Sequence, residues 1–346
     1  MSDPAAPGAG KEPERAAFAI LGAGSYGSAL AIHIARRGAR VRLWGRDEAE
    51  LARMQQQRVN EKYLPECHFP ASLTATSQLA EAVAASDHVL VVVPSHALRE
   101  TLIRLRGLLR PGQGIACASK GLEPGSGKLV HEVVAEELGE ERPLAVISGP
   151  TFAKELGLGL PTAVTVAARE RAFAETIAAA LHGDGFRAYT ATDLTGVEIG
   201  GSVKNVMAIA VGIADGLGLG ANTRAALITR GLAEIMRLGV ALGARPETLM
   251  GLSGLGDLVL TCTDNQSRNR RMGLLLAQGR SVDDAIAEIQ QVVEGVKVAP
   301  EVHRLALRCG VEMPITEQVC RVLAGERSPL EAVRVLATRP PKAEHG

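Results

Sequence analysis

The sequence predicts an α/β chain in two parts, an N-terminal doubly wound parallel sheet followed by an all-helical C-terminal region. The first observation is an alternation, from Ala17 onward, of short apolar runs with longer stretches of helical periodicity, the pattern of a parallel sheet covered by helices. The second is that this alternation stops near Asp193, after which the sequence is Ala-, Leu- and Gly-rich and helical throughout. The third is length: 346 residues, 46% of them hydrophobic, exceed what one core usually holds. Boundaries are expected at residues 17–192 for the sheet domain and 193–338 for the helical domain, with disordered tails over 1–16 and 339–346.

Strands are expected at residues 17–21, 39–44, 88–93, 114–118, 144–148, 162–167 and 186–189. Most are unbroken Val, Ile, Leu and Ala runs, as strands buried on both faces require. Breaks in the helical part are expected near Gly218, Gly243, Gly256 and Gly279. No repeat at a fixed period is present.

Composition excludes several classes. The 38 Lys and Arg residues balance 38 Asp and Glu, so no overall field draws the chain to nucleic acid or to an anionic membrane. The five cysteines (Cys67, Cys117, Cys262, Cys309, Cys320) are odd in number, scattered and without a CxxC pair, which fits reduced thiols and a cytoplasmic location. The N-terminus lacks a secretory h-region, and no uninterrupted apolar run approaches the ~20 residues of a membrane span, so no stable membrane insertion is expected. Neither HExxH nor a histidine cluster suggests a metal, and no GxSxG suggests a serine hydrolase.

The run GAGSYG after the first strand is a GxGxxG motif between a strand and an amphipathic helix, the mark of a Rossmann-type dinucleotide site. Gly22 allows the tight turn, Gly24 the close approach of backbone to pyrophosphate, and Gly27 the packing of helix on strand. The helix N-terminus at Ser25 and Tyr26 then offers unpaired N–H groups to phosphate. The second strand ends Trp44-Gly45-Arg46-Asp47. Arg46 stands where a ribose 2′-phosphate would lie, which points to NADPH, while Asp47 keeps NADH open and a surface arginine in a turn is the plain alternative. At the end of the third long strand, Ser95 and His96 are expected to cap a helix.

Carbonyl reduction needs a proton donor besides the hydride, and a lysine with a lowered pKa can serve. Two are placed for it. Lys120 follows a buried strand at the cofactor rim, and Lys204 is a lone charge in a small, apolar helix, an expensive position without a partner. A lysine snorkelling from a helix edge is the bland reading of Lys204. Asp257, in a glycine-rich turn, could orient the amine, and Arg268 with its basic neighbours could bind a phosphate-bearing substrate. A helix-terminal turn with a solvated basic face explains the same residues without function.

In order along the chain, GAGSYGSALA, LWGRD, VVPSHAL, ASKGLE, SGPTFAKE, GVEIGGSVKNVMAIAVGIADGLGLGANTRAALITRG and GLSGLGDLVLTCTDNQSRNRRMG resemble the bacterial NAD(P)-dependent glycerol-3-phosphate dehydrogenase family. The likeness runs from Ala17 to at least Glu294. It implies reversible reduction of dihydroxyacetone phosphate to sn-glycerol 3-phosphate by NADPH or NADH, supplying phospholipid synthesis. It further implies a helical domain similar to that of 6-phosphogluconate dehydrogenase, and a homodimer. By this likeness Lys204 donates and accepts the proton, Lys120 contacts cofactor and substrate, and Asp257 supports the amine. Gly149 and Thr151 line the substrate pocket, Ser267, Arg268 and Asn269 hold the phosphate region, and Ser25, Tyr26, Arg46, Ala153, Arg268, Val292 and Glu294 contact the cofactor. A related dehydrogenase of a sugar acid or hydroxy acid would differ in substrate profile. A non-catalytic NAD(P) sensor would bind cofactor yet be indifferent to Lys204→Ala.

Overall fold

The computed structural model describes residues 16–341 and 343. The tail expected over 1–16 therefore lies outside the described residues except for Ala16, and so do residues 342 and 344–346 of the tail expected at the other end. In chain order the first elements are β1 (Ala17–Leu21), α1 (Ser25–Arg36), β2 (Arg40–Trp44), α2 (Glu48–Gln57), β3 (Val59–Asn60), β4 (Leu64–His68), β5 (Leu73–Thr76), α3 (Leu79–Ala84) and β6 (His88–Val91). A 3₁₀ turn (Ser95–Ala97) leads to α4 (Leu98–Leu105), β7 (Ile115–Cys117), α5 (Val130–Leu138), β8 (Leu144–Ser148), α6 (Ala153–Leu158), β9 (Thr162–Ala168), α7 (Arg171–Leu181) and β10 (Phe186–Ala191). The helical half follows as α8 (Leu194–Gly216), α9 (Gly220–Ala241), α10 (Pro246–Leu249), a π-helical turn (Leu252–Gly256), α11 (Asp257–Thr263), α12 (Arg268–Ala277), α13 (Val282–Ile289), α14 (Glu294–Arg308), α15 (Pro314–Leu323) and α16 (Pro329–Ala337).

The main sheet has the order β10-β9-β8-β7-β6-β1-β2-β5. Because β1 is buried on both faces, its side chains divide by the two-residue period of a strand. Phe18 and Ile20 enter the core under α1 and α7, whereas Ala19 and Leu21 enter the one under α3, α4 and α5. Leu21 lies level with Trp44 of β2 and with Val91 of β6, so three strands end together. The chain leaves β1 toward β2 on one side and returns to β6 on the other, and the crevice at that reversal is where such sheets hold ligands.

Three features depart from the sequence-based expectation. β9 runs antiparallel to β8, because the short segment carrying α6 makes no crossover, and strand direction leaves no trace in an apolar run. The edge strand β5 and the β3–β4 pair were not foreseen: β5 alternates buried with half-buried residues over only four positions, and β4 contains Pro65. Gly256 is not a break, since the π-helical turn runs through it into α11, and the chain turns at Gly251 instead.

Helix α8 is the axis of the helical half. It is long and apolar enough to cross a bilayer by length and composition, but its apolar stretch is wholly buried in the protein. Asp193 caps its start by accepting a hydrogen bond from the Gly196 N–H at 2.8 Å. Its first turns, through Leu194 and Val197, pack on the sheet, and the remainder organises the helical core.

Backbone meets backbone where α8 crosses α12. A Cβ on Gly212 would stand 2.1 Å from the Arg270 carbonyl oxygen, and one on Gly273 would stand 2.2 Å from that of Ile209. Alanine improves helix propensity by about 1 kcal/mol, but forcing two helices apart costs more. Gly212→Ala is therefore expected to destabilise the protein by at least about 2 kcal/mol in urea unfolding. Gly107→Ala, where an added methyl meets nothing within 4 Å, should stay within about 0.5 kcal/mol of the parent.

Candidate active site

The glycine turn after β1 is built from close contacts. Gly22 has φ +124, and a Cβ there would lie 2.5 Å from the Val92 carbonyl oxygen. A Cβ on Gly27 would lie 1.9 Å from the Gly22 carbonyl oxygen, so α1 sits directly on the turn. Above Gly24, the N-cap of α1, an added Cβ would meet nothing within 4 Å, and the cap position has no side-chain partner. Space beside an uncapped helix N-terminus that begins at Ser25 and Tyr26 is what a dinucleotide phosphate requires. The residues present thus fit an NAD(P) cofactor.

At the end of β2, Arg46 projects with two thirds of its side chain exposed and lies 3.9 Å from Glu100. Asp47 is committed elsewhere, as its Oδ1 accepts the Glu50 N–H at 2.9 Å and caps α2. Ser95, by contrast, does not cap a helix. Pro94 holds that position, and the Ser95 hydroxyl donates to Glu294 Oε2 at 3.1 Å, joining the sheet rim to the first residue of α14. Burial raises the Glu294 carboxyl above its ordinary pKa, opposed by Ser95 and Arg268. Val292 is partly exposed just before α14, and Ala153 begins α6.

The chemical centre forms where loop, central helix and π-helical turn converge. Lys120, beyond β7, donates to Asp257 Oδ2 at 2.7 Å and to the Gly149 carbonyl at 2.9 Å. Lys204, in the middle of α8, donates to Asp257 Oδ1 and, at 2.9 Å, to Thr261 Oγ1. The Thr261 hydroxyl in turn donates to the Asp257 carbonyl at 2.6 Å. Each carboxylate oxygen holds one amine. Asp257 is 1% exposed and Lys204 6%, so these are buried charges rather than a surface pair. Lys204 is therefore no snorkelling residue.

Local sequence explains the convergence. A Cβ on Gly200 would collide with the Ser253 carbonyl at 2.6 Å, and one on Gly201 would lie 2.5 Å from Ser148 Oγ. Glycine at both positions lets the π-helical turn and the end of β8 press against α8 beside Lys204. π-Helical turns widen a helix locally and often occur at functional sites. Here the turn delivers Asp257 to the first position of α11.

The two amines titrate apart. Burial lowers the Lys204 pKa to about 8, only partly opposed by Asp257 and reinforced by the Lys120 charge. Burial also opposes the Lys120 ammonium, but Asp257 and then Tyr26 outweigh it and leave its pKa above the ordinary value. Lys120 Nζ stands 5.9 Å from the Tyr26 ring centroid.

Other expected residues are placed with different consequences. Gly149 has φ +153, and an added Cβ would lie 2.9 Å from the Ala163 carbonyl oxygen, while Thr151 turns its hydroxyl back to the Gly149 carbonyl at 3.1 Å. Arg268 opens α12, partly buried and facing Glu294 electrostatically. Ser267 caps α12 by accepting the Arg270 N–H at 3.2 Å. The Asn269 amide donates to Asn205 Oδ1 at 2.8 Å and accepts the Gly295 N–H at 2.8 Å, tying α8, α12 and α14 together. The basic cluster is not one phosphate clamp, because Arg270 is spent on Asp215 at 2.6 Å and on Asn265. Thr261 and Asn205 were missed from sequence. Thr261 stands four residues after Asp257, one helical turn on, and that spacing was the available signal.

A groove of about 1080 Å³, lined by residues such as Leu227, Arg237, Val319 and Leu336, contains none of these groups.

Comparison with known proteins agrees with the geometry. The profile of the NAD-dependent glycerol-3-phosphate dehydrogenase N-terminus matches residues 17–174, and that of the C-terminus matches residues 193–334. The chain is 56% identical over 332 residues to the glycerol-3-phosphate dehydrogenase (NAD(P)+) of Aeromonas hydrophila, covering 96% of this chain and 99% of that one. A crystal structure of glycerol-3-phosphate dehydrogenase from Coxiella burnetii superposes with a TM-score of 0.91 at 48% identity, covering 94% of this chain and 100% of the other. The structure of the yeast (Saccharomyces cerevisiae) glycerol-3-phosphate dehydrogenase superposes at 0.80 with 25% identity, covering 94% and 99%. With both profiles matched in sequence and both halves matched in space, the chain belongs to the NAD-dependent glycerol-3-phosphate dehydrogenase family.

Proposed function

We propose that the chain catalyses the reversible reduction of dihydroxyacetone phosphate to sn-glycerol 3-phosphate with NADPH or NADH. The supporting observation is the buried pair of amines on one carboxylate, Lys120 and Lys204 on Asp257, beside the glycine turn of a dinucleotide fold. Bound nicotinamide supplies the hydride. Gly22, Gly24 and Gly27, with the N-terminus of α1 at Ser25 and Tyr26, hold its pyrophosphate, and Arg46 meets a 2′-phosphate where one is present. Ala153, Val292 and Glu294 complete the cofactor contacts.

This chain's residues manage the proton. Lys204 Nζ, aimed by Asp257 and Thr261, gives its proton to the ketone oxygen as that oxygen gains charge, and takes one back in the reverse direction. Lys120 stays ammonium and stabilises the same developing charge, fixed by Asp257 and the Gly149 carbonyl. The phosphate lies toward the start of α12, where Arg268 makes no hydrogen bond among the described residues and so keeps its donors for an anion. Ser267 and Asn269 shape this end as cap and brace, and Gly149 and Thr151 line the opposite wall.

The product is the backbone of glycerophospholipids, so we assign the chain to the step that supplies it. Five unpaired cysteines fit a cytoplasmic setting. Functional division follows residues 17–192 for cofactor and 193–338 for substrate, and the active species is a homodimer, to be tested by light scattering.

Mixing the protein with dihydroxyacetone phosphate and NADPH should lower absorbance at 340 nm, and a folded protein that leaves it unchanged excludes the reaction. Since the donor must carry its proton, kcat for ketone reduction should fall as pH rises through about 8, and kcat for glycerol 3-phosphate oxidation should rise over the same range. Lys204→Ala should cost about 10²- to 10⁴-fold in kcat with the profile flattened. Arg46→Ala should lower kcat/KM with NADPH by about tenfold or more while leaving the NADH value within about twofold. Asp257→Asn leaves two buried amines without their carboxylate and should destabilise the fold by about 3–5 kcal/mol in urea unfolding.

A further inference from the structure

Tyr26 is the second residue of α1, directly behind the glycine turn that ends β1. Its hydroxyl is buried and has no hydrogen-bond partner in the structure. A buried O–H without a partner loses its hydration and recovers nothing, so such groups are rare and call for an explanation. Fold stability does not supply one, because phenylalanine would fill the same space with the same ring.

Two other hydroxyls near the site, those of Ser148 and Ser253, are also unpartnered. Both serines belong to segments packed against α8, with the Gly201 Cβ position 2.5 Å from Ser148 Oγ and the Ser253 carbonyl oxygen 2.6 Å from that of Gly200. Tyr26 differs in its neighbours. Lys120 Nζ lies 5.9 Å from its ring centroid, the charges of Lys120 and Asp257 act on its hydroxyl, and the Thr151 side chain stands near that hydroxyl without completing a hydrogen bond to it. Burial raises its pKa, so the phenol keeps its proton and remains a donor at neutral pH.

We infer that the Tyr26 hydroxyl is a substrate-recognition group, donating a hydrogen bond to an oxygen of the bound triose phosphate beside Lys120. The assignment rests on the reaction proposed above and extends it to a residue whose backbone alone the dinucleotide motif explains. An oxygenated three-carbon substrate satisfies the waiting donor, whereas an analogue lacking that oxygen leaves it unpaired. A buried donor discriminates most strongly in that situation.

The test is Tyr26→Phe in the full-length protein, read in three ways. The kcat/KM for dihydroxyacetone phosphate at saturating NADPH should fall about tenfold or more, as loss of a hydrogen bond to a charged or polarised ligand implies. NADPH affinity, followed by its fluorescence, should stay within about twofold. The Tm of the ligand-free variant should equal or exceed that of the parent, since an unsatisfied donor has been removed. Unchanged kcat/KM overturns the inference, as does a fall matched by equal loss of NADPH affinity, which would put the hydroxyl on the cofactor. A lowered Tm overturns it too, by showing that the oxygen serves the fold. Failure of the wild-type chain to turn over dihydroxyacetone phosphate removes the underlying reaction and this inference together, whereas an active parent with an indifferent Tyr26→Phe removes the inference alone.

Discussion

A carboxylate shared between two buried ammonium groups dictates much of what surrounds it. Asp257 comes from the helical half, Lys120 from a loop of the sheet half, and Lys204 from the helix that packs against both. None could remain charged at this depth alone, since the cost of removing an ion from water is recovered only with close, well-hydrogen-bonded partners. Each residue therefore depends on the other two, and the triad requires both halves of the chain to be folded and docked. Two ammonium groups against one carboxylate leave one uncompensated positive charge in a dry site, which favours an anionic ligand.

Dryness is a product of glycine. Gly200 and Gly201 bring the π-helical turn and the end of β8 against α8, and Gly212 with Gly273 brings α12 against the same helix. The close contacts are made by backbone at Gly200, Gly212 and Gly273 and by the small Ser148 side chain at Gly201, rather than by bulky side chains. The fall in the Lys204 pKa from 10.5 to about 8 is on the order of 3 kcal/mol of lost preference for the charged form. The packing that holds the helical half together thus also makes the amine a usable acid near neutral pH. Stability and reactivity have one structural cause here, and a substitution that loosened α8 would be felt in both.

What could be read in the sequence follows from range. The GxGxxG turn, the order of the buried strands and the isolated Lys204 are local patterns with local physical causes, and they stood out before any coordinates. β8 was delimited to the residue, and β2 to within one. The antiparallel entrance of β9, the edge strand β5 and the β3–β4 pair depend on partners elsewhere and were invisible. The same distinction holds within the site. Lys120 and Asp257 were singled out by their own surroundings, but that one carboxylate bridges both amines is a contact across 137 and 53 residues. Ser95 reads as a helix cap locally and is instead tied to Glu294, 199 residues away. Arg270 reads as part of a phosphate cluster and is neutralised by Asp215, 55 residues earlier. Residue type announces a capacity, and the fold decides which partner uses it.

The same reasoning divides the labour between two lysines that share a carboxylate. Lys120 is the more exposed, with 17% of its side chain open against 8% for Lys204, and it gains from the aromatic face of Tyr26 as well as from Asp257. Its ammonium is stabilised, which suits it to the fixed-charge role proposed for it. Lys204 is enclosed by a glycine-lined helix and feels Lys120 as a like charge, so its ammonium is the one pushed toward release. Pairs of titratable groups whose environments drive them apart mark the acid and the electrostatic stabiliser of a site. Were the two environments equal, neither amine would be matched to the pH at which a ketone must be protonated. The asymmetry arises from burial around α8, and the carboxylate between the amines holds the less stable one in the position that the proposed proton transfer requires.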